Sequence, residues 1–148
     1  MDERVAKLDT PEACEQFARN VEARGKPDLA LEARKRAVQL EAAKHQVNTA
    51  AEREALEAVF AYERALHEKH GKRVRASRTW PMIKERGIIA TVEHLVTRRD
   101  ETMGYKAVIE MGMPEIAFEA VVLRHPHLFS DRAVQRSRER LDALKEAE

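Results

Sequence analysis

Glu63, His67 and His70 stand at i, i+4 and i+7 and would share one face of a helix, a spacing that offers three ligands to a metal. The pattern stops short of a metal site. His67-Glu68-Lys69-His70 sets its histidines three apart where the zinc-protease pattern needs four, no fourth ligand lies near in sequence, and Lys69 and Lys72 would repel a cation. Histidines in the last turn of a helix, at the negative end of its dipole, account for the spacing better, so no metal ligand is assigned. His125-Pro126-His127 has no local nucleophile or substrate-positioning group and reads as an interhelical turn. Cys14 falls on an apolar stripe with Phe17, Ala18 and Val21 and reads as a small buried hydrophobe rather than a reactive thiol. The five glycines are scattered and form no phosphate-cradling loop. These residues assign no catalytic centre and no cofactor, and they weigh against an enzyme.

The basic segment carries a stronger signal. Over 69–86 the cations Lys69, Lys72, Arg73, Arg75, Arg78, Lys84 and Arg86 face the single acid Glu85, a net of +6; since the whole chain is +1, the other residues sum to −5. Within it, Lys72, Arg73, Arg75 and Arg78 alternate with small and hydroxyl residues and lead into Trp80, the only tryptophan. Such a stretch can neutralise phosphates, with Ser77 and Thr79 donating hydrogen bonds and Trp80 stacking on a base or bracing the loop. A short helix carrying Lys84 and Arg86, then Gly87, then another helix give the outline of a helix-turn-helix, with Met82, Ile88 and Val96 at its buried positions and Glu93 where an apolar residue is usual. Arg132, Arg136 and Arg140, four apart near the C-terminus, are a candidate extension of the same positive surface.

The elements that must hold these residues are helical. Of 148 residues, 43% are hydrophobic, largely Ala, Leu and Val, 36% are charged and only 5% are aromatic, which suits amphipathic helices better than strands. The length fits one domain, 1–148, with a core that needs no staples. A lone cysteine makes a reducing cytoplasm the default expectation. No apolar run approaches the roughly 20 residues of a membrane span, and the first residues lack the order of a signal peptide.

Thr10-Pro11-Glu12 starts a helix that Gly25 ends, and a second follows Pro27-Asp28 with Leu29, Ala33, Ala37 and Leu40 as its stripe, predicting a hairpin over 11–44. On Phe17, Ala18, Val21, Gly25, Ala30, Ala37, Val38 and Leu40 this hairpin resembles one tetratricopeptide unit. Cys14 and Arg34 stand where that repeat has aromatics, and no second copy follows. Thr49 and Glu52 form a capping box that opens a long helix over 49–70, stopped by Gly71. Its two apolar faces, Leu56, Val59, Phe60 and Leu66 beside Ala51, Ala55, Ala58, Tyr62 and Ala65, make it the expected central element.

After the basic segment at 72–80, shorter helices fill 80–146. Thr79 is the candidate cap of the first, and Ile88, Ile89, Val92 and Val96 mark the next. Tyr105, Val108 and Ile109 line a third. After Gly112, a helix opened by Pro114 carries Ile116, Ala117, Ala120 and Val121. Pro126 ends it, Ser130 caps the last, and Phe129 with Val134 form a hydrophobic staple. The expected fold is therefore all-α, a compact irregular bundle of about eight helices.

Two functional expectations follow. One is a non-catalytic, nucleic-acid-associated module that holds DNA or RNA backbone through 69–86. The other is a helical protein–protein interaction adaptor or regulator using the first hairpin and the long helix as a groove.

Overall fold

Thr10 and Thr49 open helices by the same local device: each hydroxyl oxygen accepts the amide hydrogen three residues on, from Ala13 and Glu52 respectively, both at 3.1 Å. The Thr49 hydroxyl also donates to the Glu52 carboxylate at 3.0 Å, so the box closes through the two side chains. In the computed structural model, which describes residues 1–99 and 103–147, nine α-helices and two short 3-10 turns account for the regular structure, and there is no strand among the described residues. None of these helices is long and apolar enough to cross a membrane. Contacts divide the chain into two compact units, residues 1–46 and 47–148.

The first unit holds α1 (Glu3–Ala6), α2 (Pro11–Ala23) and α3 (Pro27–Ala42), with α2 and α3 packed as a hairpin. Small residues let the helices approach closely: Val5, Ala18, Val21, Ala30 and Ala33 form the interior, with Leu8, Phe17 and Leu29 packed against it. Cys14 is fully buried. Arg34 lies against α2, its Nη1 2.9 Å from Glu22 and its Nε 3.7 Å from Glu15. Helix α1, four residues capped by Asp2, is too short to show a sequence period and was not among the expected elements; it is held by the complete burial of Val5.

In the second unit, α4 (Ala50–His70) runs 21 residues and buries Ala51, Ala55, Leu56, Ala58, Val59, Ala61, Ala65 and Leu66. It packs against α6 (Ile88–Thr97), α7 (Met103–Glu110) and α8 (Phe118–Arg124), while α5 (Thr79–Arg86) packs on α6 and α9 (Asp131–Ala147) on α6 and α8. Ala55, Val92, Val96, Val122 and Ala133 form a core cluster, and Phe129 and Val134 both pack against it.

Two local expectations change in detail. Pro114 opens a 3-10 turn (Pro114–Ile116) rather than a full helix, and the extended backbone of Ala117, ψ 154°, re-aims the chain before α8 begins. The kink lets Met113 and Ala117 both enter the interior and points Glu119 at α9. Thr79 is the first residue of α5 and is itself buried, so its hydroxyl is no cap. The carbonyl of Ala76 takes the amides of Thr79 and Trp80, at 3.1 and 3.2 Å, instead.

Glu119 meets Arg140 inside this unit. Arg140 Nη1 donates to Glu119 Oε2 at 2.7 Å with side chains 6% and 4% exposed, its Nη2 donates to the Arg98 carbonyl at 2.8 Å, and the Tyr105 hydroxyl donates to the Arg140 carbonyl at 3.0 Å. A buried pair of this kind is costly to break from one side, because the remaining charge is stranded out of water. We expect Arg140→Ala to lower stability by about 3–5 kcal/mol. The paired replacement Arg140→Met with Glu119→Leu should restore most of it, both read from urea midpoints.

Candidate nucleic-acid interface

The basic segment leaves α4 at Gly71, whose φ of +70° lets the chain turn sharply while its amide still bonds to the His67 carbonyl at 2.8 Å. Beyond the turn, residues 73–76 form no helix and alternate in burial: Arg73 and Arg75 are exposed, Val74 is half-buried and Ala76 is buried. Alternation of this kind places i and i+2 on one side of an extended chain, so two guanidinium groups face outward while two apolar side chains anchor the stretch. At Ser77 the chain bends again, its amide donating to the Arg75 carbonyl at 2.8 Å, and α5 follows.

An acid of α4 holds this path. Glu63 Oε2 accepts the Ala76 amide hydrogen at 2.6 Å and the Trp80 indole N–H at 2.7 Å, two charge-assisted bonds that tie both ends of the bend to the long helix. The Trp80 ring sits against Phe60, centroids 5.3 Å apart and planes at 57°, and the Arg75 guanidinium lies 5.3 Å from the indole centroid. Burial pushes the Tyr62 hydroxyl above its ordinary range, and the Glu63 charge adds to this while Arg78 opposes it, which places Arg78 electrostatically near the same stretch of α4.

Lys72, Arg73, Arg75, Arg78, Lys84 and Arg86 are all exposed, and among the described residues none of the six is paired with a carboxylate. The one glutamate of α4 that reaches into the segment bonds to its backbone and indole, not to its arginines. Ser77 is also exposed, whereas Thr79 is buried and Trp80 is half-buried between Phe60, Glu63 and Arg75. Glu63 therefore points away from any shared ligand set with His67 and His70, which are exposed, and among the described residues no group of three potential ligands could hold a metal.

Arg132, Arg136 and Arg140 are turned towards the end of α6 instead. Arg132 donates to the Thr97 carbonyl at 3.4 Å, Arg136 to those of Arg98 and Arg99 at 2.9 and 2.6 Å, and Arg140 to that of Arg98 and to Glu119. Three guanidinium groups thus crown the negative end of one helix dipole. Helix α6 is itself a core element: Thr91, Val92, Leu95 and Val96 are buried, and Ala90 and His94 are its exposed positions. Glu93, the residue out of place in a helix-turn-helix, accepts the Ser130 amide and hydroxyl at 2.9 and 2.7 Å. The Ser130 oxygen in turn accepts the Ala133 amide at 3.0 Å, so this acid secures the start of α9.

A second polar cluster has no sequence signature, because its members are 70 or more positions apart. Glu54 of α4 takes Arg124 Nε at 2.5 Å and His125 Nε2 at 3.0 Å, and Arg124 also donates to the Glu115 carbonyl at 2.8 Å. Burial alone would raise the Glu54 carboxyl; the bonds from His125 and Arg124 outweigh it and hold the group below its ordinary range. One turn on, burial raises the Glu57 carboxyl, with the Glu54 charge adding to the rise and Arg53 and Arg124 opposing it. The cluster clamps the end of α8 to α4.

Three substitutions check this geometry. Glu63→Ala leaves two donors without their acceptor, so we expect a loss of about 1–3 kcal/mol and a red shift of the Trp80 emission as water reaches the indole. A depressed carboxyl such as Glu54 stabilises the fold above its unfolded pKa, and that contribution is lost as pH falls through the folded value, so Glu54→Gln should flatten the loss of stability on acidification below about pH 4.5. Glu57 has the opposite sign: its raised folded pKa makes the ionised form a burden once pH rises through that value, and Glu57→Gln should raise the urea midpoint at neutral pH. In comparison with known proteins, no family model, no curated protein and no solved structure matches this chain.

Proposed function

We propose that the chain is a non-catalytic binding module whose segment 72–86 contacts the phosphates of a nucleic acid. The observation that carries this reading is the set of six exposed cations, Lys72, Arg73, Arg75, Arg78, Lys84 and Arg86, without carboxylate partners among the described residues, on a path held from within by Glu63. A solvated structural connector would be expected to pair its arginines with the surrounding acids, since the rest of the chain is net negative. Keeping them apart leaves their charge available to a polyanion, and Ser77 adds one exposed hydroxyl at the bend. Thr79 and Trp80 serve this surface from beneath, and Arg132, Arg136 and Arg140, occupied by carbonyls and Glu119, lie outside it.

The alternative of a protein-interaction adaptor draws support from the packed α2–α3 hairpin, in which Ala18, Val21 and Ala30, with Phe17 alongside, are residues on which the sequence resembles a tetratricopeptide unit. A single such unit makes a small surface, and the exposed cations are the stronger feature.

For the nucleic-acid reading, fluorescence anisotropy with a labelled duplex probe should give log K against log[salt] with a slope of about −3.6 to −5.4, reporting four to six phosphates neutralised. Replacing Arg73, Arg75 and Arg78 together by Ala should reduce the slope by about 3 and weaken binding on the order of 10- to 100-fold. Unchanged affinity in that triple variant, with the fold intact by circular dichroism, would falsify the proposal.

A further inference from the structure

The geometry points to a duplex as the target of this segment, held by its phosphate backbone without readout of base sequence; this deepens the reading above and rests on it. Proteins that grip single strands join a basic groove to aromatic side chains on which unpaired bases stack, and each stacked base supplies a large part of the affinity. This chain has seven aromatic residues, Phe17, Phe60, Tyr62, Trp80, Tyr105, Phe118 and Phe129, and every one is buried or half-buried. The tryptophan that the sequence sets beside the cations is the decisive case: its N–H is held by Glu63, and its ring is flanked by Phe60 and by the Arg75 guanidinium. The half-buried indole is thus committed to bracing the segment rather than standing out as a stacking platform.

Reading a duplex sequence requires an element that enters a groove and presents side chains to base edges. The helix in the position to do so, α6, exposes Ala90 and His94 and buries its other face in the core. Segment 72–86 contains no Asn or Gln, and apart from the single acid Glu85 its exposed polar groups are cations and the Ser77 hydroxyl, suited to phosphate oxygens. Arg73 and Arg75, both exposed, stand two residues apart on a stretch that forms no helix, at most about 6–7 Å along the chain, a spacing on the scale of one nucleotide step. A duplex presents one charge per about 1.7 Å of axis, twice the axial density of either strand, and so rewards a surface that works by charge alone.

The test titrates the full chain into a labelled duplex of arbitrary sequence, the same duplex with its sequence scrambled, and one of its strands alone, at several salt concentrations. Expected are duplex affinities equal within about twofold, binding of the single strand weaker by roughly tenfold or more, and Trp80 emission unquenched on saturation with the single strand. Tighter binding of the single strand with quenching of Trp80 overturns the duplex assignment while leaving the polyanion surface standing. A preference above tenfold for one duplex sequence overturns the claim of backbone-only contact. Absence of binding to all three probes removes the nucleic-acid reading itself, and this inference with it.

Discussion

One carboxylate oxygen, Oε2 of Glu63, sets the path of the chain where its positive charge is densest. It takes the Ala76 amide and the Trp80 indole at once, so a loop and the first turn of the following helix are both referred to the long helix α4. An acid reaching a basic segment from a neighbouring helix would ordinarily be expected to neutralise an arginine. Bonded to neutral donors instead, it keeps its own charge satisfied and leaves the guanidinium groups facing water. Val74 and Ala76, turned inward, complete the fastening with apolar contacts.

The second unit sorts its arginines into two populations by this means. Arg73, Arg75 and Arg78 stand on a stretch without helix, and Glu63, which reaches that stretch, is engaged with backbone and indole. Arg132, Arg136 and Arg140 stand on α9 facing the C-terminal end of α6, where unsatisfied carbonyls draw them in. The first set is exposed and bonded to no carboxylate among the described residues; of the second, Arg132 stays exposed, Arg136 is half-buried and Arg140 is buried. Arg140 is the extreme case, a charge admitted to the interior because Glu119 and a carbonyl meet it there. Glu93 is a counterpart of opposite sign, a half-buried acid of α6 that serves the Ser130 cap of α9.

Much of the helical layout was legible in the residue order because the interactions that begin and end helices are local. Thr10 and Thr49 cap amides three residues on, and Gly25 and Gly71 take the positive φ that ends a helix. Where a boundary depended on more distant packing, the expectation slipped. Pro114 opens only a 3-10 turn because Met113 and Ala117 are both drawn inward, and Thr79 is buried beneath its own helix rather than capping it. The candidate site was legible as a concentration of charge but not as a surface, since the partner of Trp80 lies 17 residues back and those of Arg136 some 37 or 38. The clamp of Glu54 on Arg124 and His125 left no local trace at all.

Residue order alone settled that the chain is helical, where its principal helices start and stop, and that its cations crowd into one short stretch. Capping bonds close over three or four residues, and charge is a property of composition, so neither needs the fold. Folding settled that Arg140 is drawn inside while Arg73, Arg75 and Arg78 stay exposed, and it set the Trp80 indole N–H on Glu63 with its ring beside Phe60. Those outcomes depend on which backbone and side-chain groups are brought within about 3 Å of one another, and that is a consequence of how distant helices pack.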